Sequence, residues 1–230
     1  MKKIFFIYIF IICSEFIYPQ SLTGVSGLFT IPDANLIGDG KVSIGMNWQS
    51  HEYIKSYQGY DRLVGYVNLG FLPFIEAGLR ISYPYDLSNH AIGDRMPFIR
   101  IRLIEQKGFL PNIVVGAHDF LAVFGGTEAI NFNSFYLVAT RKGLVNTSSF
   151  SVDVTLGYGV DWIKAEYYQF LGVFGGIRST IFKNYSVMIE YDSERINVGS
   201  EFTFFGNLKI VFGFMDMKRL QGGFSYSIQL

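Results

Sequence analysis

Three shortages in this chain exclude whole classes of protein. Its 230 residues include a single cysteine, Cys13, so no disulfide can form within the chain. Lysine plus arginine and aspartate plus glutamate both number 19, which gives no electrostatic case for a nucleic-acid partner. No run of 18 or more apolar residues occurs, so the sequence predicts no transmembrane helix. Prolines are also few, and the 25 glycines, 15 tyrosines and 23 phenylalanines favour strands and tight turns over helices.

From residue 41 onward, apolar residues alternate with small or polar ones in stretches of roughly ten. In the first stretch, every second position is apolar, at Val42, Ile44, Met46 and Trp48. A period of two is typical of β-strands whose two faces meet different surroundings. A tilted strand needs roughly 9–11 residues to cross the hydrocarbon layer of a bilayer, so the length of the stretches also fits a membrane-spanning strand.

This alternation predicts twelve strands, although those at 62–71, 112–119 and 133–142 alternate weakly. The full set is 41–50, 62–71, 74–83, 96–105, 112–119, 133–142, 149–159, 170–181, 185–192, 195–205, 207–215 and 222–229. If the first strand starts in the periplasm, the outward connections are mostly long, at 51–61, 84–95, 120–132, 160–169, 193–194 and 216–221. The inward connections are short, at 72–73, 106–111, 143–148, 182–184 and 206. Long outer loops, short periplasmic turns and an even strand number characterise outer-membrane barrels.

We therefore predict an all-β fold, a single antiparallel transmembrane β-barrel of about twelve strands in a bacterial outer membrane. The barrel domain spans residues 41–230. Residues 21–40 do not alternate and contain turn residues such as Pro32-Asp33. We expect this N-terminal non-barrel segment to plug the lumen or to lie across its periplasmic mouth.

Residues 1–20 are predicted to be a signal peptide for export. Lys2 and Lys3 precede an apolar run of ten residues, which is too short to span a membrane but suits the core of such a signal. We place the cleavage site near Gln20. Lipidation at Cys13 is the alternative, which the bulky residues before it disfavour.

Alternation places the charged strand residues on the face opposite the aliphatic ones, which in a membrane barrel is the lumen. A lipid-facing lysine or arginine at the midplane would cost roughly 2–4 kcal/mol, so inward placement is expected. Both signs occur on neighbouring strands, which favours a paired polar core that stabilises the barrel, with a selective polar pathway as the alternative. The predicted pairs set Glu76 and Arg80 beside Arg100 and Arg102, Arg178 one hairpin from Glu190, and Glu201 diagonal to Lys209. The whole lumen charge network comprises Glu76, Arg80, Arg100, Arg102, Asp153, Arg178, Glu190, Glu201 and Lys209.

Catalytic chemistry has little support in the sequence. His51, His90 and His118 lack the spacing of a zinc site, and no cysteine–histidine cluster offers metal ligands. His118-Asp119 could supply a base and its orienting group, but no nucleophile motif accompanies them. The glycine-rich stretch 172–176 lacks the lysine that follows in a phosphate loop. We therefore expect no catalytic residue, no metal and no cofactor.

The last strand fits the pattern polar-x-Gly-x-x-apolar-x-apolar. This pattern is similar to the terminal signal that barrel-insertion machinery recognises, and a plain edge strand of a soluble sheet is the alternative. The predicted membrane-insertion signal comprises Gln221, Gly223, Tyr226 and Ile228.

Several blocks of the sequence resemble the YjbH-like family of outer-membrane proteins. Thr23-Gly-Val-Ser-Gly-Leu-Phe-Thr-Ile-Pro-Asp-Ala34 resembles the Gly-Leu-x-x-x-Pro-Thr-Ala opening of that family, with Asp33 where threonine is usual. Further similar blocks lie at 67–80, 110–119 and 190–199. The resemblance implies a Gram-negative outer-membrane barrel associated with exopolysaccharide production or export. It brings no catalytic residues.

The leading hypothesis is a non-enzymatic outer-membrane barrel that assists exopolysaccharide production or secretion, or cell-envelope organisation. Its expected partners are outer-membrane lipid, the barrel-insertion machinery, and exopolysaccharide or secretion proteins, with no nucleic acid. A small passive or gated pore is the first alternative. An outer-membrane lipid-modifying enzyme with His118 or His90 as base is the second, and a soluble secreted β-protein is the third.

Overall fold

A computed structural model describes residues 20–50, 61–84, 94–120, 133–162 and 168–230. These residues form a closed barrel of twelve antiparallel strands, which confirms the predicted fold class. The strands are β1 (Lys41–Gln49), β2 (Arg62–Gly70), β3 (Ile75–Pro84), β4 (Asp94–Ile104), β5 (Asn112–His118), β6 (Ser134–Asn146), β7 (Phe150–Val160), β8 (Gly172–Ile181), β9 (Tyr185–Tyr191), β10 (Ile196–Phe204), β11 (Leu208–Met215) and β12 (Arg219–Gln229). None of the described residues forms a helix both long and apolar enough to cross a bilayer.

The sheet closes because the first strand pairs with the last. Lys41 lies opposite Gln229 and Trp48 lies opposite Gly222, in an antiparallel register without a break. The closed ring therefore leaves no strand edge. An edge would expose unpaired N–H and C=O groups, which are costly in lipid.

The two faces of the wall differ as the period of two predicts. On β1, Ser43, Asn47 and Gln49 are buried in the lumen, whereas Ile44 and Met46 are exposed on the outside. The exposed apolar side chains continue around the barrel on other strands, for example at Leu137, Leu156, Val173, Ile189, Phe212 and Phe224. An apolar outer band with a polar inner face is the pattern of a transmembrane barrel.

Five connections of three to seven residues lie together at one end of the barrel, here named the short-turn end, whereas at the opposite end only 192–195 and 216–218 are as short. The five comprise residues 71–74, 105–111, 147–149, 182–184 and 205–207. The turn at 205–207 has positive φ at Phe205 and Gly206, and that at 182–184 at Phe182 and Lys183. Two successive positive φ values match the right-handed twist of the flanking strands, so these hairpins close in the fewest residues.

Two predicted strand boundaries are wrong by three residues or more. β6 runs to Asn146 through a bulge, so the predicted connection 143–148 shrinks to 147–149. β12 begins at Arg219, because the pairing of Met215 with Arg219 continues the ladder through residues that looked like a loop. The connection 216–221 therefore shrinks to 216–218. The longer connections at 51–60, 85–93, 121–132 and 163–167, and the predicted signal peptide up to residue 19, lie outside the described residues.

Residues 20–37, here named the inner segment, lie inside the barrel. Every one of them is buried, and backbone bridges fold them into a compact turn, with Gln20 opposite Ser26 and Gly27 opposite Pro32. The chain then reaches β1 at the short-turn end, where Gly40 N donates to Gly70 O. The inner segment and the lumen wall are the parts of the molecule on which the site is built.

Candidate functional site

Glu76 of β3 attaches the inner segment to one side of the lumen. Its carboxylate accepts hydrogen bonds from Ser26 N at 3.3 Å, Ser26 Oγ at 3.0 Å and Ile37 N at 3.0 Å. Arg100 Nη1 of β4 donates to the same carboxylate at 3.1 Å, and neither side chain is exposed. The ion pair is therefore buried, and backbone N–H groups of the inner segment complete its hydrogen bonding.

Glu190 of β9 holds the middle of the inner segment from the opposite half of the barrel wall. Its carboxylate accepts Phe29 N at 2.9 Å, Thr30 N at 2.8 Å and also the Thr30 hydroxyl. Asn197 of β10 donates to Glu190 at 3.3 Å. A carboxylate that accepts several N–H groups substitutes for the strand partner that this part of the inner segment lacks.

Three arginines of the wall donate to carbonyl groups of the inner segment. Arg80 Nη1 bonds Thr23 O at 2.7 Å, Arg100 Nη1 bonds Asn35 O at 3.0 Å, and Arg178 bonds Gly27 O. Arg178 also forms an ion pair with Asp33 at 3.4 Å. Wall and inner segment thus satisfy many of each other's buried polar groups, as a water-poor interior favours.

Apolar side chains fill the space beside these polar contacts. A buried cluster joins Leu22, Leu28, Phe29, Ile31, Ala34 and Leu36 of the inner segment to the wall residues Val114, Tyr136, Val138, Phe170, Phe174, Met188 and Val211. Phe29 lies where the wall carries Gly199 and Gly213, at which any added Cβ would meet its ring within 3.0 Å. These glycines leave the room that the phenylalanine ring occupies.

A cavity of about 660 Å³, here named the vestibule, lies between the inner segment and the short-turn end. Asn35 and Arg178 lie at its inner boundary, and the β6–β7 hairpin and Lys183 lie along its rim. Ten of its eighteen lining residues carry a hydroxyl or an amide. The vestibule is therefore a polar, open part of the lumen, beside the part that the inner segment occupies.

A bulge in β6 shapes the vestibule wall. The ladder with β7 is interrupted between Arg141 and Val145. Gln106 replaces the missing partner, because Lys142 N donates to its Oε1 at 2.8 Å and its Nε2 donates to Lys142 O at 3.2 Å. Asp153 Oδ1 accepts Gly143 N at 2.8 Å. Bulges of this kind are frequent next to functional sites, and this one brings Lys142 and Gly143 to the edge of the vestibule.

Comparison with known families identifies the chain. The model of the YjbH family, described as "Exopolysaccharide biosynthesis protein YbjH", matches residues 20–169, which is more than half of the sequence. The chain belongs to the YjbH family. The match covers the inner segment and β1 to β7, and it includes three of the four resembling blocks noted in the sequence.

For this YjbH-family barrel, the comparisons with solved structures and with curated sequences are less informative than the family match. A solved structure described as "KdgM porin" is similar with a TM-score of 0.47 and 12% identity, over 82% of this chain and 99% of that chain. No protein with a curated description matches the sequence.

The structure places seven of the nine predicted lumen charges in buried positions: Glu76, Arg80, Arg100, Arg178, Glu190, Glu201 and Lys209. Glu76 lies directly opposite Arg100, and Glu201 lies diagonal to Lys209 with 3.8 Å between Oε1 and Nζ. Arg178, however, pairs with Asp33 and not with Glu190, because the inner segment separates the two. Five of these seven charges therefore bind the inner segment, and two of the five, Glu76 and Arg100, also pair with each other.

The remaining two predicted charges lie elsewhere. Arg102 is only partly buried and lies 3.7 Å from Glu105, whose side chain is 80% exposed, near the short-turn end. Asp153 lines the vestibule and holds the β6 bulge. Both sit near strand ends, where the side chains reach past the filled part of the lumen.

Sequence reasoning missed the uncharged polar residues that hold the inner segment. Asn47 Nδ2 donates to Leu22 O at 2.8 Å, and Asn68 Nδ2 donates to Gln20 Oε1 at 2.6 Å. Asn197 bridges Glu190 and Asp192. The signal that could have found them is an amide at a lumen-facing position of the alternation, since a buried amide needs partners.

His118 is enclosed among aromatic rings. Its Nε2 lies 3.2 Å from Tyr136 Oη, and the rings of Phe98 and Phe170 lie at its sides with centroids 6.1 and 6.2 Å away. The side chain is 0% exposed, and among the described residues no serine or threonine hydroxyl bonds it. His51 and His90 lie outside the described residues. Within the described part of the chain, no group of three potential metal-ligating residues occurs.

The residues of the predicted membrane-insertion signal lie on β12, the strand that closes the barrel. Gln221 faces the lumen and is buried, whereas Tyr226 and Ile228 face outward and are exposed. Gly223 lies opposite Asn47 of β1. Recognition of these residues by insertion machinery stays a prediction.

Proposed function

We propose that this protein is a non-enzymatic outer-membrane barrel that assists exopolysaccharide production or secretion, or the organisation of the cell envelope. The closed ring of twelve strands with an apolar outer band supports the location. Membership of the YjbH family, whose description names exopolysaccharide biosynthesis, supports the role. In this proposal the short-turn end faces the periplasm, as the short turns of outer-membrane barrels do.

The observation that carries the proposal is the inner segment within the barrel. Its contacts reach Asn47 of β1, Glu76 of β3, Arg178 of β8 and Glu190 of β9, so it is attached across the lumen. A barrel attached to its own N-terminal segment on all sides suits a scaffold or a binding partner better than an open channel. The proposed plug leaves the vestibule as an accessible part of the lumen.

The role is tested by deleting the gene and measuring surface polysaccharide. We expect a clear loss that the wild-type gene restores. Complementation with Arg100→Met, which weakens the attachment of the inner segment, should restore less than the wild type at equal amounts of folded protein. Folded protein is measured by the change in electrophoretic mobility on boiling. Unchanged polysaccharide in the deletion strain would contradict the role.

A gated pore is the second candidate, because the vestibule enters the lumen from one end and stops at Asn35. Planar-bilayer recordings of the purified protein separate the two candidates. We expect the intact chain to be silent, and a variant that lacks residues 21–37 to show stable conductance. Stable conductance by the intact chain would favour the pore.

A lipid-modifying enzyme with His118 as base is less well supported. The imidazole is enclosed by Tyr136, Phe98 and Phe170, and no nucleophile bonds it among the described residues. A general base needs a hydrogen-bonding path to the proton that it removes. The non-enzymatic proposal therefore expects His118→Ala to leave polysaccharide production intact.

A further inference from the structure

We infer that the short-turn end is a lipid-contacting surface, whose turn phenylalanines insert into the periplasmic leaflet of the outer membrane. The lysines beside them meet phospholipid headgroups. The inference rests on the proposed outer-membrane location and goes beyond it, because it gives the depth of this end in the bilayer and its partner, a phospholipid surface. It is carried by the exposure of the turn residues, the continuity of the outer apolar band and the lengths of the strands.

Four of the five connections at the short-turn end carry an exposed phenylalanine. Phe109, Phe182 and Phe205 are 99%, 75% and 91% exposed, and Phe71 of the connection 71–74 is exposed as well. A phenylalanine ring is large and wholly apolar, and it gains free energy when it leaves water. A set of such rings at one end of a molecule indicates a contact with a membrane or with another protein.

The outer apolar band of the barrel continues into these turns. Phe205 directly follows Phe204, which ends the outer face of β10 and is itself exposed. Phe182 directly follows Ile181, which ends the outer face of β8. The turn rings therefore border the same surface that the proposed location sets against lipid. This continuity favours lipid over a protein as the partner.

The three shortest strands need such an extension of the band. β5, β9 and β11 have 7, 7 and 8 residues. A strand tilted by about 40° advances roughly 2.5 Å per residue along the barrel axis, so these strands cover only about 18–20 Å. The apolar band of an outer-membrane barrel is about 25 Å tall. Each of the three strands is preceded by a turn with an exposed phenylalanine, which supplies the missing height.

The turn 147–149 provides the contrast within the same end. Its sequence, Thr147-Ser148-Ser149, contains no apolar residue, and it joins β6 and β7, which have 13 and 11 residues. At the same advance per residue, β7 alone covers about 28 Å. A hairpin whose strands already cross the band needs no apolar tip, so we expect this one to reach the aqueous periplasm. Apolar turns thus occur beside short strands, and the polar turn joins two long ones.

The charges of the turns suit the headgroups of a phospholipid leaflet. Lys107 and Lys183 are exposed, and each lies within two residues of a turn phenylalanine. Glu105 is the one carboxylate in the five connections, and it lies 3.7 Å from Arg102 Nη1. Lysines at the depth of the headgroups are attracted to phosphates, and more strongly when the leaflet is anionic.

Tryptophan reporters measure the depth of each turn. Phe109→Trp, Phe205→Trp and Ser148→Trp are made separately in the intact chain, with the native tryptophans replaced by Trp48→Phe and Trp162→Phe. Each is placed in nanodiscs of phosphatidylethanolamine and phosphatidylglycerol that include phospholipid brominated near the headgroup, and folding is checked by electrophoresis with and without boiling. We expect bromine to quench about half of the fluorescence of the two phenylalanine-site reporters and little of that at Ser148→Trp. Iodide in the buffer should quench in the reverse order.

A second measurement does not depend on the reporters. The triple variant Phe109→Ser/Phe182→Ser/Phe205→Ser shortens the apolar band at three turns. We expect its guanidinium unfolding midpoint to fall below that of the wild type in bilayers with long acyl chains, and to approach it in bilayers with short ones, because a thinner layer no longer reaches the turns. Ser148→Ala is the matched control, and its dependence on acyl-chain length should equal that of the wild type.

Three results would each overturn the inference: stronger quenching by iodide than by bromine at Phe109→Trp and Phe205→Trp, equal bromine quenching at Ser148→Trp, or a wild-type dependence on acyl-chain length in the triple variant. The first is the result that a periplasmic protein partner at these rings predicts.

The outcome separates from that of the proposed function. Leu137→Trp on the outer wall, with bromine placed near the midplane, reports on the membrane location itself. Quenching at Leu137→Trp without quenching at the turns refutes the depth alone. Quenching at both, with normal polysaccharide in the deletion strain, refutes the cellular role alone.

Discussion

Two parts of the same lumen differ in what lies against the inner face of the barrel wall. In the filled part, Glu76, Arg100 and Glu190 bond the inner segment, and apolar side chains pack around Phe29. In the vestibule, hydroxyls, amides and net positive charge line an open cavity of about 660 Å³. One barrel wall thus provides a packed core in one place and a wet site in another, and the difference follows from where the inner segment lies.

The comparison explains why three strands alternate weakly in sequence. The lumen faces of β2, β5 and β6 carry apolar residues such as Val64, Val114, Tyr136 and Val138, all buried. Three of these four belong to the cluster that contains the apolar residues of the inner segment. Where a wall packs against apolar residues on its inner side, both faces are apolar and the period of two fades.

The largest expected effect is in the filled part. Arg100→Met leaves Glu76 buried without its ionic partner and removes a donor to Asn35 O. We expect a loss of about 3–5 kcal/mol in the free energy of unfolding, the usual cost of breaking a buried pair on one side. Guanidinium titration in lipid vesicles, followed by the fluorescence of Trp48 and Trp162, measures it.

The control for this change comes from the vestibule. Thr203→Ala at the open wall should alter the free energy of unfolding by less than about 0.5 kcal/mol, as exposed substitutions usually do. The double variant Glu76→Leu/Arg100→Met should recover only part of the loss, because Ser26 N and Ile37 N then lose their acceptor. Equal costs for Arg100→Met and Thr203→Ala would show that the two parts of the lumen do not differ.

A smaller effect is expected where the wall makes room for the inner segment. A Cβ at Gly199 would lie 2.7 Å from ring atoms of Phe29. We expect Gly199→Val to cost about 1–3 kcal/mol by overpacking, measured by the same titration. In a Phe29→Ala background the added valine should cost much less, because the ring that it meets is gone.

The matched control for overpacking is Gly65→Val on β2. No heavy atom lies within 4 Å of a Cβ built at Gly65, so the added side chain meets open space on the outside of the barrel. Its cost should be small. A similar cost at Gly65 and Gly199, or no relief from Phe29→Ala, would contradict the close packing of Phe29 against the wall.

The barrel could be predicted from the sequence because its wall obeys a local rule. Alternation at Ile44, Met46 and Trp48 is visible within β1 alone, and it predicts all twelve strands to within a few residues. The partners of the inner segment could not be predicted in this way. Asp33 meets Arg178 and Thr30 meets Glu190 across more than a hundred residues, and no local period encodes such contacts.

The vestibule was missed for a different reason. Gly143 and the polar run Asn146-Thr147-Ser148 are typical of a turn, so the sequence predicts a connection at 143–148. The structure instead continues β6 to Asn146 through a bulge, whose unpaired backbone is bonded by side chains of Gln106 and Asp153. A bulge held by side chains from a neighbouring strand and a distant turn leaves no signature in its own residues, so the cavity that it shapes is visible only in three dimensions.

The smallest expected effect is local to that bulge. Asp153→Ala removes the carboxylate that accepts Gly143 N. We expect a loss of about 1 kcal/mol in local protection, which is roughly a fivefold faster hydrogen exchange at Gly143, with little change in global unfolding. The amides of Phe29 and Thr30, bound to Glu190, should exchange at the wild-type rate. Asp153→Asn keeps an acceptor oxygen, so its rate of hydrogen exchange at Gly143 should lie between those of the wild type and Asp153→Ala. Faster exchange at Thr30 as well would mean that the vestibule and the filled part open together, and that the lumen is one cooperative unit and not two.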